Sequence, residues 1–155
     1  VLHRDLKPAN LMLEPSPGPI ERVVVIDFGF ASLEGGSKLT QQGHVVGSLT
    51  YMAPERLRGE DGDLRSDLYA AGIILVELIA GRAPFESGDD FDLVHMHIQD
   101  VPPPVRDLNP EVTDVTDELD DVIERSLAKT GKDRYQSADA MAWALEQAAR
   151  GLPVA

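Results

Sequence analysis

Cysteine is absent from this 155-residue chain, so neither a disulfide framework nor a thiolate metal site is possible. Long apolar segments are absent as well. The longest one, residues 70–80, is interrupted by Glu77 and falls short of the about 20 residues that a membrane-spanning helix needs. We therefore expect no membrane segment in this chain.

Positive charge is scarce. The chain has 14 Lys and Arg residues against 27 Asp and Glu residues, which gives a formal net charge of -13 at pH 7. This acidity argues against nucleic acid as a partner, because a phosphate backbone would be repelled. The length and the hydrophobic fraction of 43% are ordinary for one globular domain with a core of its own.

Polar residues concentrate near the start of the chain, in residues 3–10 (HRDLKPAN), between short apolar flanks. Pro8 bars a continuous helix or a central strand, which predicts a bent loop between two buried strands. Such a loop can aim the carboxylate of Asp5, the ammonium of Lys7 and the amide of Asn10 at one small volume. This combination suits phosphoryl transfer, where catalysis is mostly positioning and charge stabilisation.

Two short strands are predicted at residues 11–13 and 23–26, separated by a turn-rich, proline-containing loop. If the strands pair as a hairpin, Asn10 and Asp27 come together at one end of it.

Three motifs follow one another in a fixed order. They are His3-Arg4-Asp5-Leu6-Lys7-Pro8-Ala9-Asn10, Asp27-Phe28-Gly29 and Ala53-Pro54-Glu55. The ordered set resembles the signature motifs of the protein kinases, and it is far more specific than any one motif alone. The resemblance implies an α+β, mainly α-helical fold: the large C-terminal lobe of a kinase, with a catalytic-loop hairpin and a helical bundle.

The resemblance also implies roles for these residues. Asp5 would orient the substrate hydroxyl and accept its proton, and Lys7 would meet the γ-phosphate of ATP. Asn10 and Asp27 would hold the Mg²⁺ ions that bridge the phosphates, and Met12 would contribute to the nucleotide site. Lys7 favours the serine/threonine class over the tyrosine class, and residues 132–138 (KDRYQSA) most resemble bacterial kinases of eukaryotic type.

Residues 30–48 show neither a strand period nor a helix period, and they lie between the motifs that bound an activation segment. Phosphate on this segment, paired with Arg4, would switch the enzyme on in kinases of this kind. Thr40 is the first candidate for phosphorylation and Ser37 the second; the alternative is that both are simply solvated. Ser48 retains the hydroxyl of the Thr that the family usually carries there, and it could still bridge Asp5 and Lys7.

A helix is predicted from a Ser66 N-cap through Ala80, ended by Gly81 and buried all round. By resemblance, Asp67 near its start would bind backbone amides of the catalytic loop. Plain helix capping is the alternative for Asp67, and both can hold at once.

Four further residues are expected to support the site. By resemblance, His3 and Phe28 would pack beneath it, with Phe28 as a core residue, and Arg134 would form a buried ion pair with Glu55. Thr130-Gly131 replaces the Asp-Pro that the family usually has before this Arg, which leaves the local turn open.

Three more helices are predicted in the second half of the chain. The first presents Phe91, Val94 and Ile98 on one face, the second follows a Thr116 cap, and the third runs from Ser137 to Gly151. A metal site at His95 and His97 is a weak alternative, because residues two apart on a helix face different ways.

The expected organisation is a kinase catalytic domain over residues 1–151, in its C-lobe portion, with a tail at 152–155. It comprises the catalytic loop (1–13), the activation segment (27–55) and the helical subdomain (56–151).

No G-x-G-x-x-G motif is present, so we expect a cytoplasmic fragment that needs a missing N-terminal lobe to bind ATP and is inactive alone. The expected partner is a protein substrate with Ser or Thr. The alternative function is a non-catalytic, pseudokinase-like interaction module; a small-molecule phosphotransferase should not carry Ala-Pro-Glu.

Overall fold

The computed structural model describes residues 2–15, 22–28 and 49–150. Within these ranges the chain forms one antiparallel hairpin, β1 (Leu11–Glu14) and β2 (Arg22–Val25), and then a series of helices. The helices are α1 (Pro54–Leu57), α2 (Leu64–Ala80), α3 (Asp90–Gln99), α4 (Val105–Leu108), α5 (Asp117–Ser126) and α6 (Ala138–Ala149). The predicted class, α+β and mainly α-helical, is confirmed.

Helix α2 is the centre of the fold. Tyr69, Ile73 and Val76 are completely buried in it, and α4 and α5 pack against it. The prediction of a helix buried all round holds for most positions, but Leu78 is 77% exposed. Gly81 ends the helix in a left-handed conformation (φ 76°), and its N–H donates to the carbonyl of Glu77.

The predicted N-cap of α2 is wrong by one turn. The helix begins at Leu64, and the Asp63 carboxylate accepts a hydrogen bond of 2.8 Å from the N–H of Arg65. Ser66 lies inside the first turn, where its buried hydroxyl donates to Glu55 instead. Asp63 is the better cap, because its ionised carboxylate, which also pairs with the Arg65 side chain, complements the positive end of the helix dipole.

The hairpin pairs as predicted, with Leu11 opposite Val25 and Leu13 opposite Val23. β2 is shifted by one residue from the prediction, since Arg22 belongs to it and Ile26 does not. The expectation of two buried strands is wrong. Leu2 precedes the loop without forming a strand, and the hairpin side chains are largely exposed, because the described helices leave both faces of the hairpin uncovered.

The predicted caps of α5 and α6 are present, since the side chains of Thr116 and Ser137 accept hydrogen bonds from the first turns of these helices, and Asp89 caps α3 in the same way. Of the three residues predicted to share a face of α3, Val94 and Ile98 pack partly buried against the core, whereas Phe91 is 85% exposed. The helix docks mainly through Leu93 and His97, one turn apart. The short helices α1 and α4 were not predicted, since four residues are too few to show a period. Trp143 is 65% exposed, and the predicted end of the last helix at Gly151 lies outside the described residues.

No helix in the described ranges combines the length and the apolar character needed to span a membrane.

Gly72 allows α2 and α5 to approach closely. A Cβ atom added to it would lie 2.8 Å from Cβ of Ser126 and 3.0 Å from Cδ2 of Leu127. Both neighbours are completely buried, so neither can swing away into solvent. A glycine inside a helix loses about 1 kcal/mol of helix propensity relative to alanine, and this close packing explains its use here.

We therefore predict that Gly72→Ala lowers the free energy of unfolding by about 1 kcal/mol, because the cost of overpacking, about 1–3 kcal/mol, outweighs the gain in helix propensity of about 1 kcal/mol. Urea unfolding of the chain measures this. Gly88→Ala is the matched control, since nothing lies within 4 Å of an added Cβ there. An unchanged unfolding midpoint for Gly72→Ala would contradict the close contact.

Candidate active site

The loop formed by residues 3–10 brings its three polar groups together. Nζ of Lys7 lies 2.8 Å from Oδ2 of Asp5. The amide Nδ2 of Asn10 donates to the Asp5 carbonyl at 2.7 Å and lies 3.4 Å from Oδ2 of the same residue. A carboxylate, an ammonium and an amide therefore share one small volume. Asn10 is buried, whereas the side chain of Asp5 is 45% exposed and open to a substrate.

The hairpin joins Asp27 to this loop. The N–H of Ile26 donates to the Asn10 carbonyl at 2.9 Å, which continues the β1–β2 pairing by one more hydrogen bond. Asp27 is the next residue and is exposed. Its φ of 55° is left-handed, an unusual conformation for a non-glycine residue, and it turns the chain immediately after the strand.

The loop is held from α2 by Asp67. The two carboxylate oxygens of Asp67 accept hydrogen bonds from the N–H groups of His3 and Arg4, at 2.8 and 2.9 Å. Arg4 has a φ of 66°, so the loop turns through a second left-handed residue at this point. Asp67 therefore binds the backbone amides that the kinase resemblance implies, while Asp63 does the capping of α2.

His3 connects the loop to the hairpin from below. Its ring is buried, and Nε2 lies 2.8 Å from the Ile26 carbonyl, an acceptor, which assigns the ring proton to Nε2. Nδ1 is then free to accept from the N–H of Asp5 at 3.3 Å. One imidazole thus bridges the residue before Asp27 and the backbone of Asp5.

Phe28 packs against His3 with ring centroids 5.0 Å apart and the ring planes tilted by 53°. It was predicted to be a core residue, and that prediction is wrong, because 43% of it is exposed. Met12 on β1 is 52% exposed. Both side chains lie on the uncovered hairpin end of the structure, where the described helices do not reach.

Glu55 and Arg134 form the predicted ion pair. Arg134 is completely buried, and its two terminal nitrogens each lie 2.8 Å from one oxygen of the Glu55 carboxylate. Further N–H groups donate to the carbonyls of Ala128, Arg65 and Lys129, so each of the five guanidinium donors has an acceptor. The presence of Thr130-Gly131 in place of the usual Asp-Pro does not disturb the pair. A short 3₁₀ turn at Gly131–Asp133 directly precedes Arg134.

The environment of Glu55 favours its charged form. Burial alone raises the pKa of this carboxyl, but hydrogen bonds from Arg134 and Ser66 more than offset burial, so the pKa lies below its ordinary value of 4.5. The Ser66 hydroxyl donates to Oε1 at 2.6 Å. Glu55 is therefore an ionised anchor for the end of the segment that precedes α1.

A second anchor for this segment was missed from the sequence. The Tyr51 hydroxyl donates to Oε2 of Glu77 at 2.6 Å, which ties residues 49–53 to the last turn of α2. Burial first, and then the neighbouring Glu77 carboxylate, raise the pKa of Tyr51 well above its ordinary value. The observation that could have revealed this contact was Glu77 itself, a lone carboxylate in the apolar run of residues 70–80.

A groove runs along the 3–10 loop, between it and the segment that carries Tyr51. Asp5, Tyr51, Met52 and Arg56 line it, together with Asp67 at its base. Three predicted regulatory residues, Ser37, Thr40 and Ser48, lie outside the described residues.

Metal ligands in the described ranges are few. Nowhere in them do three His, Cys, Asp or Glu residues form a metal-binding group. Asn10 and Asp27 remain as two neighbouring oxygen donors, which suits Mg²⁺, an ion that usually takes one or two protein ligands and completes its shell with water and phosphate. His95 is exposed and His97 is buried, so the two histidines do not converge on a metal.

The chain resembles known proteins over nearly its whole length. It matches the family model for the protein kinase domain over residues 1–144. A probable serine/threonine-protein kinase of Corynebacterium efficiens is 40% identical over 153 residues, which are 97% of this chain and 23% of that protein. The serine/threonine-protein kinase pkn3 of Myxococcus xanthus is 41% identical over 90% of this chain and 26% of its own length. For PknB of Mycobacterium tuberculosis the identity is 34%, over 99% of this chain and 24% of that protein. The chain spans about a quarter of the length of these curated relatives.

We predict that Arg134→Met lowers the free energy of unfolding by about 3–5 kcal/mol, because it leaves the Glu55 carboxylate without its buried partner. Denaturant unfolding of the chain at pH 7 measures the loss. Arg82→Met is the matched control, since it breaks the exposed i, i+4 pair of Arg82 and Glu86 and should cost less than about 0.5 kcal/mol. Equal effects of the two substitutions would show that burial adds nothing to the pair.

The lowered pKa of Glu55 predicts how this pair depends on pH. A carboxyl with a depressed folded-state pKa stabilises the protein above its unfolded-state pKa of about 4.5, and this contribution is lost as the pH falls through the folded value. Glu55→Gln should therefore be destabilising at pH 7, and the difference from the unsubstituted chain should shrink below about pH 4.5. Urea unfolding between pH 7 and pH 3 measures this difference in the free energy of unfolding. Glu86→Gln is the control, and its difference from the unsubstituted chain should stay small at every pH. A difference for Glu55→Gln that does not change with pH would contradict the prediction.

Proposed function

The chain belongs to the protein kinase family, and on that premise we propose that it carries the catalytic and magnesium-binding half of an ATP-dependent protein serine/threonine kinase. One observation carries the proposal. Asp5, Lys7 and Asn10 converge at the end of the hairpin that presents Asp27, and Asp67 fixes the backbone of that loop from α2. The names of its relatives, all serine/threonine-protein kinases, support the choice of hydroxyl substrate.

The proposed role of Asp5 is to accept the proton of a substrate Ser or Thr hydroxyl. Its carboxylate is the exposed acceptor in the groove, and its backbone is fixed on both sides, by His3 and by Asn10. Lys7, at 2.8 Å from Asp5, would place a positive charge where the transferring phosphoryl group passes. Each contribution is positioning and charge, which is what this reaction requires of a protein.

Asn10 and Asp27 are proposed to hold the metal. The Nδ2 of Asn10 is committed to Asp5, which leaves its Oδ1, the atom that can ligate Mg²⁺, for the ion. Asp27 presents a carboxylate from the adjoining end of the hairpin. When bound, Mg²⁺ supplies charge neutralisation to the phosphates of ATP. The donor set of one amide and one carboxylate fits this ion, whose remaining sites phosphate and water would fill.

We also propose the domain boundaries. Residues 1–151 would form the C-lobe portion of a kinase domain, with a catalytic loop at 1–13, an activation segment at 27–55 and a helical subdomain at 56–151. The hairpin exposes Met12, Leu13 and Val23, an apolar surface that suits a covering lobe and the nucleotide. Because a Gly-rich phosphate loop is absent from the 155 residues, the isolated chain should have negligible kinase activity.

Regulation by phosphate is proposed at Thr40 first and Ser37 second. The side chain to receive the phosphate would be Arg4, which is exposed beside Asp5 and whose backbone Asp67 holds. Ser48 is proposed to contact the catalytic loop through its hydroxyl.

The deciding experiment measures phosphate transfer from labelled ATP with Mg²⁺ to a generic protein substrate. In the full gene product, Asp5→Asn should lower kcat by about 100-fold or more, because the acceptor for the hydroxyl proton is lost. Asp121→Asn, an exposed carboxylate on α5, is the control and should leave kcat unchanged.

Two outcomes of that assay would contradict the proposal. Activity in the isolated chain would contradict the proposed need for a further lobe. If the full gene product were inactive, even with phosphate introduced at Thr40, the non-catalytic interaction module would be the better assignment.

A further inference from the structure

A buried polar cluster lies on α3, away from the catalytic loop. Its centre is His97, which has no exposed surface. Nδ1 of His97 lies 2.8 Å from the Tyr69 hydroxyl on α2, and the ring of Phe85 packs edge-on at a centroid distance of 5.1 Å. His97 and Leu93 are the buried residues of α3, and Val94, Met96 and Ile98 pack partly buried against the core beside them.

The second ring nitrogen of His97 has no hydrogen-bond partner. Nε2 is fully buried, and none of the described residues offers it a donor or an acceptor. The neutral imidazole uses one nitrogen with Tyr69 and leaves Nε2 unpaired. An imidazolium would carry a positive charge and N–H groups on both nitrogens, so its buried Nε2–H would have no acceptor; both are costly in a buried site.

Cations already surround this cluster. Nζ of Lys129 donates to the carbonyls of Met96 and His97, at 3.1 and 2.9 Å, and lies 4.5 Å from the centre of the Phe85 ring. The guanidinium of Arg134 stacks on the other aromatic partner, Tyr69, at 4.8 Å. A proton on His97 would therefore meet the fixed positive charge of Lys129, whereas the charge of Arg134 is paired with the Glu55 carboxylate.

Two further charged groups, of opposite sign, lie near Lys129. Arg58, just after α1, adds positive charge near Lys129, and Asp100, at the end of α3, adds a negative one. Asp100 lies 3.9 Å from His95, on the exposed side of the helix. Burial first, and then Lys129, lower the pKa of His97 to about 4. Burial lowers the pKa of Lys129 to about 8, so Lys129 is still charged at the acidic pH at which His97 takes up a proton.

We propose that His97 is a proton-sensitive latch, which holds α3 against α2 when the imidazole is neutral and releases α3 when it is protonated. The inference does not depend on the proposed enzymatic function. It rests on the complete burial of the ring, its single hydrogen bond to Tyr69, its unpartnered Nε2 and the ammonium fixed against the last turn of α3.

The direction of the pH dependence follows from linkage. The released helix takes up a proton at the ordinary pKa of about 6.5, whereas the docked state resists protonation down to about 4. Docking is therefore fully stable above pH 6.5. Below it, the equilibrium constant for release should rise about tenfold per pH unit until about pH 4.

Hydrogen–deuterium exchange of the full gene product, read by mass spectrometry on peptides that cover α3, tests this. After correction for the pH dependence of intrinsic exchange, protection of α3 should fall about tenfold per unit between pH 6.5 and pH 4.5, and more steeply than that of α5. His97→Gln can still bond to Tyr69 but cannot take up a proton, so its α3 protection should not change over this range. His95→Gln is the matched control on the exposed face and should behave like the unsubstituted protein.

A second readout covers the case in which His97→Gln does not fold. In the His95→Gln protein, the α3 peptide contains one histidine, and deuterium exchange at its imidazole C2 carbon reports the pKa of His97 directly. A value well below 6.5 is expected. A value near 6.5, an unchanged pH dependence in His97→Gln, or equal loss of protection in α3 and α5 would each overturn the proposal.

Discussion

The ion pair between Arg134 and Glu55 is the interaction on which the rest of this structure depends. A fully buried guanidinium is tolerable only when its donors are satisfied, and here they reach Glu55 and three backbone carbonyls from separate parts of the chain. The pair joins residues 79 apart in sequence. It therefore fixes the start of α1 to the second half of the helical region, at a point where neither partner can be replaced singly without leaving a buried charge.

The candidate active site depends on constraints imposed from outside its own loop. Arg4 and Asp27 both adopt left-handed backbone conformations, which cost about 1–3 kcal/mol each for residues other than glycine. Hydrogen bonds from distant elements offset this cost: Asp67 binds the amides at Arg4, and His3 binds the carbonyl before Asp27. The loop is thus pre-organised by α2 and by the hairpin, and the functional groups need little rearrangement to act together.

The sequence predicted the parts of this protein that depend on local pattern or on an ordered motif set. The hairpin, the central helix and the Glu55–Arg134 pair were found this way, and so were the residues that meet at the candidate site. It failed where tertiary contacts decide between local alternatives: Ser66 is an acceptable cap by residue type, but its hydroxyl donates to Glu55 and Asp63 caps the helix instead. Phe28 was predicted to be a core residue from its type, but it lies on the uncovered hairpin end and is exposed. The apolar spacing of Phe91, Val94 and Ile98 does not show that α3 docks through a histidine.

Helix α2 shows how one element serves several sites. It is apolar along most of its length, and hydrophobic burial alone would make it an inert core. Four of its polar side chains contact other parts of the chain: Ser66 contacts Glu55, Asp67 the 3–10 loop, Tyr69 both His97 and Arg134, and Glu77 contacts Tyr51. Because these four groups belong to one helix, the helix fixes the positions of residues 49–55, the 3–10 loop and α3 relative to one another. A polar residue in the middle of an apolar helix is costly unless it is satisfied, so each of these contacts fixes position as well as contributing stability.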